Sequence, residues 1–116
     1  MLTAESILQA DDCSDIEKVE VPEWGGFLFV KVMNGAERDF YELTASKSIQ
    51  DPGSGSIRAV LCAATICNDQ GDRMFTNKQV GELSKKSGHA LDRVFTVAQR
   101  VNKITDDEIE DLEKNS

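Results

Sequence analysis

The longest apolar run in the chain is Ala59-Val60-Leu61-Cys62-Ala63-Ala64-Thr65-Ile66-Cys67. It is far shorter than the roughly 20 residues that span a bilayer. Such a run has to be covered by the rest of the protein. Ile57, Val60, Leu61 and Ala64 recur at helical spacing, which predicts a helix there. With 116 residues in all, the chain is long enough for one core and too short for two independent ones. A single domain over 1–116 is therefore expected. Aromatic residues make up only 6% of it, so most of that core has to be aliphatic. The N-terminal residues Met1-Leu2-Thr3-Ala4-Glu5 lack a basic segment followed by an apolar one. No secretory signal is visible, and a cytoplasmic protein is expected.

The pattern before this run is different. Ile16 to Val21 alternates, with Val19 and Val21 on one face and Lys18 and Glu20 on the other. Phe27 to Val32 is continuous and rich in strand formers. Between them stand Pro22-Glu23-Trp24-Gly25-Gly26, whose two glycines can supply positive φ in a tight connection. The expectation is a β-hairpin. On its second strand Leu28, Val30 and Val32 share one face, and Phe27, Phe29 and Lys31 share the other. Both faces carry large apolar groups. The strand is either covered on both sides or offers one side to a partner.

Helical signals dominate elsewhere. Thr3 can cap a short helix carrying Ile7 and Leu8, although Ser6 in place of Glu or Gln leaves its capping box incomplete. Asp11 to Asp15 reads as a polar loop. Asn34 with Glu37 forms a capping box, and Ala36, Phe40 and Leu43 make an apolar stripe behind it. A flexible internal loop is expected over 46–56, where Asp51-Pro52-Gly53-Ser54-Gly55-Ser56 breaks the pattern. The second half reads as helical throughout. Asp69-Gln70-Gly71-Asp72 punctuates it as a turn, and Thr76 with Gln79 caps a short helix bearing Val80 and Leu83. Leu91, Val94, Phe95, Ala98 and Val101 give the clearest amphipathic helix. Thr105 with Glu108 opens an acidic C-terminal helix or tail over 105–116. The fold class is α+β: an N-terminal β-hairpin followed by a mainly helical body.

Charge and composition restrict the function. The formal net charge is −8, which repels a phosphate backbone and argues against a nucleic-acid partner. Much of the excess sits in 105–116, where six carboxylates face one lysine. His89 is the sole histidine. Ser87 and Asp92 are near it in sequence, but nothing supplies the nucleophile turn and oxyanion donors of a triad. One His and three scattered Cys do not match a zinc pattern. If Asn68–Asp72 were an EF-hand, Ile66 would stand where an oxygen ligand is required. Gly53-Ser54-Gly55-Ser56 lacks the Gly-Lys-Ser/Thr of a phosphate loop. No cofactor motif is present. Cys62 and Cys67, taken as helical, would lie about 7.5 Å apart along the axis and roughly 140° apart around it. That spacing suits neither a disulfide nor a shared metal, so the cysteines read as buried reduced thiols.

Binding is then the remaining function class. Trp24 sits in the hairpin loop, where it either plugs the core or anchors an interface. Phe27 and Phe29 form the second apolar face of the hairpin. Ile109 and Leu112 give the acidic tail an apolar stripe that can dock on a partner helix. These five are the candidate partner-binding residues.

Several stretches stand in a meaningful order. Met1-Leu2-Thr3-Ala4-Glu5 leads to Val19-Glu20-Val21-Pro22-Glu23-Trp24-Gly25-Gly26, then to Asn34-Gly35-Ala36-Glu37-Arg38-Asp39. Gly71-Asp72-Arg73-Met74-Phe75-Thr76 and Ala90-Leu91-Asp92-Arg93-Val94-Phe95 follow. This order resembles that of the tail assembly chaperones of long, flexible-tailed phages and their prophages, over nearly the whole chain. The resemblance implies a non-enzymatic protein without cofactors, made in the host cytoplasm during assembly and missing from the mature virion. It implies binding to the long helical tape-measure protein and to the tail-tube subunit, the major tail protein. It also implies self-association and, in many members, a second longer form made by frameshifting. Two other readings fit the composition. One is a tail-completion or head–tail connector protein kept in the virion. The other is an acidic inhibitor of a host nucleic-acid-binding protein, which needs carboxylates spread over a surface and not gathered at one end.

Overall fold

The computed structural model describes residues 1–50 and 56–114, with side-chain surroundings omitted for 48–50. The architecture is α+β. A short helix α1 (Ala4–Gln9) precedes the hairpin strands β1 (Ile16–Val21) and β2 (Gly26–Lys31). Helices α2 (Gly35–Gln50) and α3 (Ile57–Thr65) follow, then a two-residue strand β3 (Ile66–Cys67). The chain ends in α4 (Val80–Leu83), α5 (Gly88–Asn102) and α6 (Asp106–Lys114).

The hairpin forms where the alternation predicts it. Val19 pairs with Leu28 and Glu17 with Val30 in an antiparallel register. One turn of tight helix, Pro22–Trp24, joins the strands. Gly25 closes it at φ 77°, a left-handed conformation that glycine adopts without steric cost. Gly26, by contrast, begins β2 without positive φ, so one glycine serves where two were expected.

The second half is not helical throughout. Directly after α3, Ile66 and Cys67 pair antiparallel with Val30 and Phe29, which makes a three-stranded sheet in the order β1-β2-β3. Two residues carry too little periodicity to announce a strand. The turn expected at Asp69–Asp72 reverses the chain after β3. Asn68 holds it, its side-chain oxygen accepting from the amides of Gln70 at 2.9 Å and Asp72 at 3.0 Å.

Helix α3 is the centre of the molecule. Ala59, Val60, Leu61, Cys62, Ala63 and Thr65 are all buried, as an all-round apolar helix demands. It packs between α2 and α5. Ser56 caps it by accepting from the Ala59 amide. Helix α5 in turn covers one face of the sheet, laying Leu91, Val94 and Ala98 in the common core with Val19, Val21, Val30 and Ile66. Three ion pairs fasten its polar side: Arg93 to Glu23, Arg100 to Glu17 and Arg58 to Asp92.

Two local expectations change. Ser6 does complete the first capping box: its hydroxyl accepts from the Thr3 amide at 3.0 Å while Thr3 caps the Ser6 amide. A serine side chain reaches back across one turn as a glutamate would. Helix α2 also runs on through Gln50, into the stretch expected to be a loop over 46–56. No Gly or Pro stands in Ala45–Gln50 to stop it. Residues 51–55 of that loop, and 115–116 of the tail, lie outside the described residues.

Candidate functional site

Among the described residues, no cluster of three or more His, Cys, Asp or Glu side chains is placed to hold a metal ion. None of the described helices is long and apolar enough to cross a membrane. His89 is exposed at the start of α5. All three cysteines are free thiols; Cys62 and Cys67 are buried, and Cys13 is partly exposed. Burial pushes the Cys62 thiol up to about 12, so it stays protonated and unreactive. What the fold does present is apolar surface.

The first surface is the sheet face turned away from α5. Residues paired across the hairpin share a face, so Phe27, opposite Glu20, and Phe29, opposite Lys18, stand together on it. Their rings meet edge to face at 5.9 Å between centroids, the arrangement aromatic quadrupoles favour. The Lys18 ammonium lies 4.2 Å above the Phe27 ring, a cation–π contact. Phe27 is 57% exposed and Phe29 half-buried. The turn after β3 comes back toward the other end of this face, where Gly71 lies against Ile16. The phenylalanine end remains open.

Trp24 is half-buried and packs against the core edge. With Phe75, Leu83, Gln79, Glu82 and Lys86 it lines an open cleft of about 390 Å³. The ring packs partly against the core and borders the cleft with the rest.

Ile109 and Leu112 are placed differently. Thr105 caps α6 by accepting from the Glu108 amide at 3.1 Å, as the sequence predicts. The helix then folds back onto α2, with Ile109 buried in the common core and Leu112 packed against it. Arg38 fixes the contact, binding Glu108 at 2.7 Å and the Asn102 carbonyl at 3.0 Å. The apolar stripe of α6 is therefore largely spent inside its own chain.

A second exposed surface appears on α2. The stripe Ala36, Phe40, Leu43 faces solvent, with Phe40 52% and Leu43 53% exposed. Tyr41 and Ala45, on another side of the same helix, are the residues buried against the core. Both stripes have helical spacing, so periodicity could not choose between them. Beside the exposed stripe, Ala36, Phe40 and Thr44 of α2 and Val60 and Ala64 of α3 line a groove of about 290 Å³, with Arg73 and Asn77 bordering it. Arg73 donates to the Ala63 carbonyl at 2.6 Å and to Asn77 at 2.8 Å.

Compared with family models, characterised proteins and solved structures, the chain matches none.

Proposed function

We propose that this chain is a non-enzymatic tail assembly chaperone, which holds a tape-measure protein in soluble form and helps bring the tail-tube subunit to it. The observation that carries the reading is the open aromatic pair Phe27–Phe29, with Lys18 stacked upon it, on a small protein of net charge −8. A tape-measure chain exposes long apolar helical stripes that aggregate when unassisted. A chaperone for it needs apolar contact surface, and enough like charge to keep the complex dissolved. The order of short sequence stretches that resembles the chaperone family supports the same assignment. Within it the host cytoplasm is the place of action, and the finished virion lacks the protein.

Co-expression tests it. The intact chain should raise the soluble yield of the tape-measure protein encoded in the same genome. Phe27→Glu should lose most of that effect without loss of fold, since the ring is already exposed. An intact chaperone that leaves the client's solubility unchanged removes the assignment. A Phe27→Glu variant as effective as the parent would move the contact to another surface.

A further inference from the structure

Helix α1 is six residues long and buries none of them. Leu2 is 72% and Leu8 85% exposed, with Ile7 also open to solvent. Its internal support is the Thr3–Ser6 capping box and a long contact from Gln9 to Glu5. Helices below about 12–15 residues are marginal in water without tertiary packing. A helix this short, apolar along Ala4, Ile7 and Leu8 at i, i+3 and i+4, has the form of a ligand for a groove.

The groove between α2 and α3 has the matching character. Its walls are Ala36, Phe40, Val60 and Ala64, and it is open along one side. The charges are also complementary. Residues 1–15 contain Glu5, Asp11, Asp12 and Asp15 and no lysine or arginine. Arg73 at the groove edge donates to two neutral oxygens and makes no ion pair among the described residues. Glu37 also lines the groove and attracts Arg73 electrostatically, but its carboxylate is held directly by Lys31 at 2.7 Å. We infer that the α2–α3 groove receives α1 of a second copy of this chain, with Ile7 and Leu8 against Phe40 and the acidic N-terminal segment beside Arg73. Exchanged both ways, the contact closes a dimer; made one way, it builds a chain. Neither Phe27 nor Phe29 lines this groove, and the inference does not depend on the identity of the client.

Sedimentation of the full chain over a micromolar concentration series tests it. The parent chain should associate. Leu8→Glu and Phe40→Glu alter exposed residues, so both should fold, and each should weaken association by about tenfold or more. Phe27→Glu should leave association intact, which separates this inference from the chaperone reading. In a Cys13→Ser background, a Leu8→Cys chain mixed with a Phe40→Cys chain should form a disulfide-linked heterodimer under mild oxidation. A parent chain that is monomeric throughout overturns the inference. So does association that survives both Leu8→Glu and Phe40→Glu, or that is lost with Phe27→Glu alone.

Discussion

The side-chain oxygen of Asn102, in the last turn of α5, accepts a 2.7 Å hydrogen bond from the Met33 amide just beyond β2. The same side chain donates to the Lys31 carbonyl at 3.1 Å and to the Ala98 carbonyl at 3.0 Å. The Met33 amide lies beyond the paired residues of β2, where the chain turns toward α2. One buried amide ties α5 to the end of β2 and to the connection that leads into α2.

Asn102→Ala should therefore destabilise the fold by about 2–3 kcal/mol, because an unsatisfied buried amide costs about 1–3 kcal/mol and further bonds are lost with it. Asn102→Asp should be worse at neutral pH, since a carboxylate cannot donate to the two carbonyls and brings a charge into their midst. Urea unfolding of both variants checks this. An Asp variant as stable as the parent would show that the side chain is not buried among these acceptors.

Tyr41 makes the opposite case. On the inner side of α2 it is almost fully buried, yet its hydroxyl has no hydrogen-bond partner among the described residues. Burial, ahead of the nearby Glu42 carboxylate, pushes its ionisation far above the ordinary phenol range, so the group stays neutral. Tyr41→Phe keeps the apolar ring and removes an unpaired polar atom. It should leave stability unchanged or raise it by about 1 kcal/mol, as measured by urea midpoint. A loss of more than about 1 kcal/mol would mean that the hydroxyl is bonded in solution.

These two residues show where the sequence is silent. The hairpin, the Asn34–Glu37 and Thr76–Gln79 boxes, and the α5 stripe were legible because each rests on local periodicity or a fixed cap spacing. Strand β3 was hidden because it inherits the apolar run of α3 and pairs with β2 far earlier in the chain. Local sequence does not mark the role of Asn102, since its partners at Met33 and Lys31 are distant in sequence. At the candidate sites strand parity puts Phe27 and Phe29 on one face, but parity does not say whether that face is covered, and only the packing of the chain leaves Phe27 exposed. The outward turn of Phe40 and Leu43 was not legible either, because α2 is apolar on two sides and only the packing of α3 selects which is covered.

Acid should loosen the attachment of α5 to the hairpin. Hydrogen bonding to the Arg100 guanidinium holds the Glu17 carboxyl below its ordinary range, and Arg93 does the same for Glu23. For Glu37 burial acts upward, but the Asn34 amide and Lys31 outweigh it and the net shift is again downward. A carboxyl depressed in the folded state stabilises the fold fully above its unfolded value, about 4.3 for Glu. That contribution disappears as pH falls through the lower folded value. Thermal midpoints should therefore be flat near neutrality and decline below about pH 4.3. All of these pairs are at least partly exposed, so the effect should be modest and should shrink in high salt. Glu17→Gln combined with Glu23→Gln should lower the midpoint slightly at pH 7 and flatten the acid decline. An unchanged acid slope in the double variant would assign that decline to other carboxylates, such as Glu37.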